Sequence, residues 1–139
     1  MEDCVFCRII RGELPAARVC EDDATVAFLD LQSVNPGHLL VVVKPHRANI
    51  YELDDELAGA AFRTAARMAR LVKKTLGCQG VTLLQANEQA GAQTLFHFHI
   101  HVVPRWEGDG MDFAWPVKNP PREALEEMAT KLRAALPAV

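Results

Sequence analysis

The sequence lacks the features that mark several large classes of protein. No apolar run approaches the roughly 20 residues of a membrane-spanning helix, and LLVVV (Leu39 to Val43) predicts a strand instead. Fifteen Lys and Arg against 18 Asp and Glu leave a net charge of −3, without the basic excess typical of nucleic-acid-binding domains. The N-terminal MEDC shows no signal peptide. We therefore expect a cytoplasmic protein that binds neither membrane nor nucleic acid.

Cysteine is also scarce, with four residues in the chain. In a reducing compartment these need not form disulfides, and Cys20 and Cys78 are expected to be buried free thiols. Cys4 and Cys7 form one C-x-x-C, which alone indicates a redox pair, half of a zinc site or chance. The redox interpretation requires a thioredoxin-like βαβ pattern, which the sequence does not show.

What the chain does have is a series of short apolar segments separated by turn residues. They predict one domain over residues 1–139, with a core at 4–106 and a C-terminal extension at 107–139. We expect an α+β fold: a five-stranded antiparallel sheet with one long helix and a C-terminal helix packed on it. The predicted elements are a short helix or turn at 4–12, strands at 17–20, 25–30 and 38–45, a helix at 54–76, a strand at 80–87, a fifth strand in the stretch 94–105 and a helix at 122–136.

The stretch TLFHFHIHVVPR places His97, His99 and His101 at every second position. In a strand such residues share one face, so the imidazoles form a row and the intervening apolar residues face the core. Pro104 is expected to end this strand. The row predicts a strand with titratable nitrogens on one side.

Three interpretations of the row compete. The histidines are half-exposed strand residues, or they form a three-histidine metal site of the kind that zinc enzymes use, or one imidazole is a nucleophile that its neighbours orient. Two histidines spaced by two residues can chelate one ion, whereas three in a straight row converge less easily. The flanking Gln93, Thr94 and Arg105, with His38 in NPGHLLVV, favour phosphate chemistry.

QTLFHFHIHVVPR resembles the signature of the histidine triad, or HIT, family, which is His-x-His-x-His followed by two apolar residues. The segment from Cys4 to Leu53 resembles the N-terminal half of that family nearly throughout, and the resemblance covers roughly residues 4 to 106. The final 30 or so residues match only loosely. In its Cys4-x-x-Cys7 pair, the chain resembles bacterial members of the Hint-like branch of the family.

The resemblance implies a hydrolase or transferase that acts at the α-phosphorus of a nucleotide. His99 would attack and form a covalent nucleotidyl-histidine, which water then cleaves. His101 would contact the phosphate or the leaving group, His38 would support the row from the neighbouring strand, and Thr94 would help to protonate the leaving amine.

The resemblance also implies how the nucleotide is bound. Asp30 matches the acidic residue that accepts both ribose hydroxyls, although an Asp at a strand end can instead cap the following turn. Asn87 and Gln93 match phosphate-side residues. Apolar positions that enclose the base correspond to Phe6, Ile10, Leu14, Phe28 and Leu31, which would otherwise be taken as core. The family usually has Gly directly before this Gln, whereas the chain has Ala92, in a loop that is shorter by one residue.

For bacterial members, the resemblance implies a structural zinc ion held by Cys4, Cys7, His46 and His97. These four residues would form a closed tetrahedral site, separate from the chemistry, which itself needs no cofactor. A homodimer is also implied. Trp115 and Phe113 would either reach the neighbouring subunit's site or pack within their own chain.

The expected reaction is hydrolysis of a purine nucleoside 5′-phosphoramidate to the nucleoside monophosphate and an amine. Three alternatives remain open: a Fhit-like dinucleoside polyphosphate hydrolase, a nucleotidyl transferase, and a nucleotide-binding interaction dimer whose turnover is incidental. Substitution of His99 separates the last alternative from the hydrolases, since binding should survive it and hydrolysis should not.

Overall fold

The structure is a computed structural model that describes residues 3–138. Its helices and strands are, in chain order, α1 (Val5–Ile10), β1 (Arg18–Glu21), β2 (Thr25–Leu29), β3 (Leu39–Val43), a 3-10 turn at Ile50–Glu52, α2 (Asp55–Leu76), β4 (Gly80–Leu84), β5 (His99–Arg105) and α3 (Arg122–Ala135). The 3-10 turn has no counterpart among the predicted elements, and the other boundaries lie close to the predicted ones.

The strands form one antiparallel sheet in the order β1-β2-β3-β5-β4. This confirms the predicted α+β class and the five-stranded antiparallel sheet. β5 lies between β3 and β4, and its pairing with β3 places His99 opposite Val42 and His101 opposite Leu40. The histidine strand is therefore an interior strand of the sheet, paired on both sides.

The sheet separates two apolar clusters. Alternate side chains of β3 and β5 face α2, whose buried residues are Ala61, Thr64, Ala65, Met68 and Val72. The long helix is capped as expected, because the Asp54 carboxylate accepts the Leu57 N–H at 2.8 Å and Gly77 ends it at φ 62°. On the opposite face, α1 packs over a smaller cluster of Phe6, Ile9, Val26, Phe28, Leu40 and Val42.

The alternation in β5 has the predicted effect on its two faces. Phe98, Ile100 and Val102 are buried in the cluster beneath α2, and the histidines point to the α1 face. The regular strand begins only at His99, so His97 lies in the turn that precedes it.

Pro104 was expected to end the strand, and this is wrong: β5 continues through it to Arg105, with Pro104 paired opposite Val81. The Pro104 carbonyl faces away from β4 and accepts the Asn35 side-chain amide at 2.8 Å. β3 begins only at Leu39, so no strand lies on that side of Pro104. The missing N–H therefore removes no hydrogen bond from the ladder.

The C-terminal helix lies where it was predicted but does not pack as predicted. No residue of α3 is buried, and its apolar stripe of Leu125, Met128, Leu132 and Leu136 is 50–70% exposed. The expectation of two helices packed on the sheet is thus met by α2 and not by α3. Within residues 3–138, none of the helices is long and apolar enough to cross a membrane.

Candidate active site and metal-binding cluster

The contacts of His99 fix which of its ring nitrogens carries the proton. Its Nδ1–H donates to the His97 carbonyl oxygen at 2.7 Å, which leaves the lone pair on Nε2. The edge-to-face contact with Phe6, at 5.1 Å between ring centroids, fixes the plane of the imidazole. Burial lowers the pKa of His99 below its ordinary value of 6.5, so the ring is neutral at pH 7.

His38 and His101 form a hydrogen-bonded pair whose protons are fixed by the backbone. The Val34 N–H donates to His38 Nδ1 at 3.0 Å, so the proton of His38 must be on Nε2. That Nε2–H donates to His101 Nδ1 at 2.9 Å. The proton of neutral His101 is consequently on Nε2, as a donor that this network leaves free. A backbone N–H in the loop before β3 thus sets the protonation pattern of a side chain on β5.

Burial keeps both rings of this pair uncharged. It lowers the pKa of His38, and it lowers that of His101 to about 4. Asp30 opposes the shift, since its Oδ2 lies 3.4 Å from His38 Nε2 and 3.7 Å from His101 Nδ1. Desolvation is the larger effect in each case. At neutral pH the pair is therefore a hydrogen-bond relay and carries no positive charge.

Cys4, Cys7, His46 and His97 form a second cluster beside the first. Their ligand atoms all lie within 4.8 Å of one another, and His97 Nδ1 is 3.3 Å from Cys4 Sγ, 3.5 Å from Cys7 Sγ and 3.2 Å from His46 Nδ1. The other nitrogen of His97, Nε2, donates to the Val43 carbonyl at 2.6 Å. The Nδ1 lone pair of His97 is therefore directed at the two thiols.

The donor set and its surroundings fit a metal ion. Two thiolates and two imidazoles are a zinc ligand set, and a ligand histidine that donates its second N–H to a carbonyl has the usual supporting contact. His97 is fully buried, and its pKa is lowered to about 4, chiefly by that burial, so it stays neutral as a ligand must. Burial also raises the pKa of the Cys7 thiol, a shift that a bound cation would reverse.

Asp30, His38 and His101 are equally close together, with ligand atoms within 4.8 Å. The hydrogen bonds nevertheless argue against a metal ion there. The Val34 N–H occupies His38 Nδ1, so the Nε2 that faces the cluster carries a proton and has no lone pair to give. Among residues 3–138, the set that could hold a metal is therefore Cys4, Cys7, His46 and His97.

An apolar cleft opens beside the histidine face, with a volume of about 270 Å³. Of the five apolar residues predicted to enclose the base, Phe6, Phe28 and Leu31 line it, with Asp30 at its edge. Ile10 and Leu14 instead pack behind its wall, against the α1 cluster. The sequence did not identify Val5, Ile9, Pro15, Ala16, Leu40 and Leu95 as lining residues.

Asp30 shows the turn-capping contact that was the alternative expectation, and its role toward ribose stays a prediction. Its Oδ1 accepts the Gln32 N–H at 2.9 Å, which is the turn-capping role. Its Oδ2 faces the two histidines, and its side chain is 16% exposed, at the edge of the cleft. A carboxylate has about four acceptor positions, so the cap leaves capacity for further donors.

The phosphate-side residues of the loop at 87–95 are used to hold the loop itself. Gln93 is buried, its Oε1 accepts the Glu88 N–H at 2.7 Å, and its Nε2 donates to the carbonyls of Ala48 and Leu95. Asn87 Oδ1 accepts the Ile50 N–H at 2.8 Å. Thr94, between Gln93 and Leu95, is exposed. The roles of these residues toward phosphate remain predictions.

Ala92 occupies a backbone conformation that favours glycine, with φ at 70°. A non-glycine residue there costs roughly 1 kcal/mol. The preceding Gly91 is needed for a different reason, since a Cβ at that position would lie 2.2 Å from the Asn87 carbonyl oxygen. The departure at Ala92 is therefore a matter of strain in the loop.

Comparison with known proteins agrees with this architecture. Residues 11–108 match the model of the HIT domain family. Protein hit of Bacillus subtilis is 41% identical over 115 residues, which cover 82% of this chain and 79% of that protein. Adenosine 5′-monophosphoramidase HNT1 of Saccharomyces cerevisiae is 32% identical over 134 residues, or 96% of this chain and 82% of its own.

Solved structures extend the agreement over nearly the whole chain. A HIT family protein from Bacillus anthracis has a TM-score of 0.92 at 34% identity, covering 98% of this chain and 99% of its own. A Zn-bound histidine triad family protein from Mycobacterium smegmatis has a TM-score of 0.76 at 32% identity, covering 97% and 99%. With the histidine row, the five-stranded sheet and the N-terminal cysteine pair, these matches show that the chain belongs to the HIT family.

Proposed function

We propose that this protein hydrolyses purine nucleoside 5′-phosphoramidates at the α-phosphorus through a covalent nucleotidyl-histidine on His99. The observation that carries the proposal is that two neighbouring neutral imidazoles offer complementary groups, a lone pair on one and an N–H on the other. His99 Nε2 has a lone pair, and His101 Nε2 has a proton to donate. An attacking group next to a hydrogen-bond donor is what substitution at a phosphate requires.

In the first step, the lone pair of His99 Nε2 forms a bond to the α-phosphorus. The bond from phosphorus to the amine breaks, and its electron pair leaves with the amine nitrogen, which takes up a proton with the help of the Thr94 hydroxyl. The imidazole then carries positive charge, which the Nδ1–H bond to the His97 carbonyl stabilises. The His101 Nε2–H donates to a phosphoryl oxygen.

In the second step, the oxygen of a water molecule bonds to the same phosphorus, the bond from phosphorus to His99 Nε2 breaks, and its electron pair returns to the nitrogen as the lone pair. The nucleoside monophosphate leaves, and the proton lost by the water balances the one that the amine took up in the first step. Neutral imidazole suits both steps, since it is a competent nucleophile at pH 7 and its phosphoramidate is labile. Asn87 would contribute to the phosphate side. In Gln93, both amide hydrogens and the oxygen already bond to backbone, so we assign it to shaping the loop.

The nucleoside would lie in the apolar cleft, with the base against Phe6, Phe28 and Leu31 and the ribose hydroxyls on Asp30. A carboxylate that accepts two hydroxyl hydrogen bonds discriminates strongly for ribose. The yeast relative is an adenosine 5′-monophosphoramidase, which supports a purine nucleotide as the substrate.

We further propose that Cys4, Cys7, His46 and His97 hold a structural zinc ion. The support is the donor set, the second hydrogen bond of His97 to Val43, and the Zn-bound relative from Mycobacterium smegmatis. When bound, the ion would tie α1, which forms one wall of the cleft, to the turn before β5. Thiolate ligands require reduced cysteines, which favours a cytoplasmic protein.

A homodimer is the assembly that we propose. Its support is the uncovered apolar surface of the C-terminal extension: the α3 stripe is 50–70% exposed, Trp115 is 78% exposed and Val117 is 69% exposed. Phe113 lies against its own chain, with the Arg105 guanidinium 5.3 Å from its ring centroid. We therefore assign Trp115 to the partner and Phe113 to packing.

Hydrolysis of adenosine 5′-phosphoramidate by the wild type and His99→Ala tests the reaction. We expect kcat to fall at least about a thousandfold in the variant, because the covalent step is lost. The affinity for adenosine monophosphate, measured by calorimetry, should survive.

The other outcomes are also informative. A variant that keeps its turnover would overturn the proposal. A wild type that cleaves only dinucleoside polyphosphates would establish the Fhit-like alternative, and one that binds nucleotide without turnover would establish the interaction dimer.

A further inference from the structure

A buried carboxylate lies beyond the end of β5, outside the histidine site. The side chain of Asp109 is 6% exposed. It accepts the Arg105 Nε–H at 2.7 Å and Nη2–H at 3.1 Å, and the backbone N–H groups of Trp106 at 3.2 Å and Met111 at 3.1 Å. A fifth donor is Asn35 Nδ2, at 2.8 Å. Asn35 belongs to a different part of the chain, the loop that leads into β3.

Asn35 is fixed by this contact and by a second one. Its other amide hydrogen goes to the Pro104 carbonyl at 2.8 Å, so both N–H bonds of the side chain are used, and the residue is 9% exposed. The backbone carbonyl of Asn35 accepts the backbone N–H of His38 at 3.1 Å. The side chain of Asn35 therefore attaches the loop at 33–37 to the end of β5 and the turn that follows.

That loop provides the N–H that determines the proton position in His38. Val34 directly precedes Asn35, and its N–H donates to His38 Nδ1 at 3.0 Å. His38 in turn donates to His101 at 2.9 Å. We propose that Asp109 is a positioning residue, which acts through Asn35 to hold the Val34 N–H on His38 and so keeps the proton of His101 on Nε2. This inference rests on the proposed function only for its effect on turnover.

Loss of the Val34 contact would change the chemistry of the pair. His38 could then carry its proton on either nitrogen. The tautomer with the proton on Nδ1 would place the bare Nε2 of His38 against the bare Nδ1 of His101, with no hydrogen between them. His101 would respond by moving its own proton to Nδ1, which removes the donor that faces the phosphate. Misplacement of a catalytic contact by about 1 Å can cost up to a hundredfold in rate.

Asp109→Asn is the informative substitution, because the amide keeps the size of the side chain but offers N–H groups to Arg105 and Asn35, which are themselves donors. Glu107→Gln is the matched control, two residues away and exposed. Asn35→Ala removes the link and leaves the Arg105–Asp109 pair intact. If Asp109→Asn does not fold, Asn35→Ala by itself tests the proposal.

The principal measurement is the tautomer of His38 and His101, read from two-bond ¹H–¹⁵N correlation spectra of the full chain. We expect one tautomer for each ring, protonated on Nε2, in the wild type and in Glu107→Gln. In Asp109→Asn and in Asn35→Ala we expect a mixture for both rings, and a kcat for phosphoramidate that is about tenfold lower. The double variant should be no worse than either single variant.

Unchanged tautomers in folded Asp109→Asn or Asn35→Ala would overturn the proposal. A lower melting temperature with unchanged tautomers would do the same, since it would show that the network is only structural. The spectra do not depend on turnover. If the wild type fails to hydrolyse phosphoramidates, the proposed reaction falls while the positioning role is still decided.

Discussion

Two clusters that contain histidine lie side by side on one face of the sheet, one around His97 and the other around His101. The structure gives the histidines of the two clusters different protonation patterns. In the cluster of Cys4, Cys7, His46 and His97, the Nδ1 lone pair of His97 faces the two thiols. His101, with His38 and Asp30, has a proton between the two rings. The separation between ligand atoms is similar in both, so distance alone does not tell them apart.

The difference lies in the second nitrogen of each ring. His97 Nε2 meets a carbonyl oxygen, that of Val43, which requires a proton there and frees Nδ1 for a metal ion. His38 Nδ1 meets a backbone N–H, that of Val34, which requires a lone pair there and places the proton on the inner side. Whether a histidine cluster can bind a metal should therefore be judged from the hydrogen-bond partner of the ring nitrogen that faces away from the cluster.

Removal of a metal ligand should have the largest effect, and it should be confined to one cluster. Cys7→Ser should abolish stoichiometric zinc binding and lower the free energy of unfolding by about 4 kcal/mol or more, because binding of a structural metal contributes directly to folding. Metal analysis and urea unfolding measure the two. Cys78→Ser, at a buried thiol outside the cluster, is the matched control and should retain zinc. Equal zinc content in the two variants would contradict the assignment.

Truncation of a histidine in the other cluster should lower activity and leave zinc binding unchanged. His101→Ala should lower kcat for phosphoramidate hydrolysis about a hundredfold, since it removes a hydrogen-bond donor to the phosphate, and should leave the zinc content unchanged. His38→Ala acts one residue further from the substrate and should cost about tenfold. Steady-state kinetics with metal analysis of the same samples provides the measurement. Loss of zinc from His101→Ala would erase the distinction between the clusters.

Asp30→Asn sharpens the comparison within the relay cluster. We expect KM to rise about tenfold with little change in kcat, because a neutral amide accepts the ribose hydroxyls more weakly than a carboxylate. The 2′-deoxy substrate should lose much less, which serves as the internal control. A large fall in kcat with unchanged KM would instead assign Asp30 to the histidine pair.

The smallest effect concerns pH. The nucleophile must be neutral, and burial lowers the pKa of His99, so activity should be lost on acidification only below the ordinary value of 6.5. His101 has a pKa of about 4 and becomes charged lower still. The pH profile of kcat/KM measures the acid limb. A limb centred at or above 6.5 would mean that His99 is solvated.

Local patterns predicted most of the fold. The alternation of apolar residues and histidines predicted a strand with a buried face, and Phe98, Ile100 and Val102 confirm it. Asp54 and Gly77 bounded the long helix as expected. The prediction that β5 ends at Pro104 was wrong because the cost of a missing N–H depends on whether a strand lies beside that N–H. The sequence around Pro104 does not show this, since it depends on the tertiary structure. The exposure of α3 could not be read from its amphipathic stripe for the same reason.

The sequence predicted which histidines and cysteines lie together, but neither the full lining of the cleft nor the backbone contacts that hold the rings. The residues suggested by the family motif do lie together at the row and at the thiols. The Val34 N–H and the Val43 carbonyl, which fix the protons of His38 and His97, are backbone groups that no side-chain pattern marks. The sequence also did not reveal that Asn87 Oδ1 accepts the Ile50 N–H or that Gln93 Oε1 accepts the Glu88 N–H.

Helix α1 connects the proposed metal site with the proposed nucleotide site, and this connection has a thermodynamic consequence. Cys4 and Cys7 lie at the start of α1, and Phe6 and Ile9 of the same helix line the cleft. Under the proposed function, a rigid-body shift of α1 would affect the proposed metal site and the proposed nucleotide site together. Linkage requires reciprocity: whatever factor zinc adds to nucleotide affinity, nucleotide must add to zinc affinity.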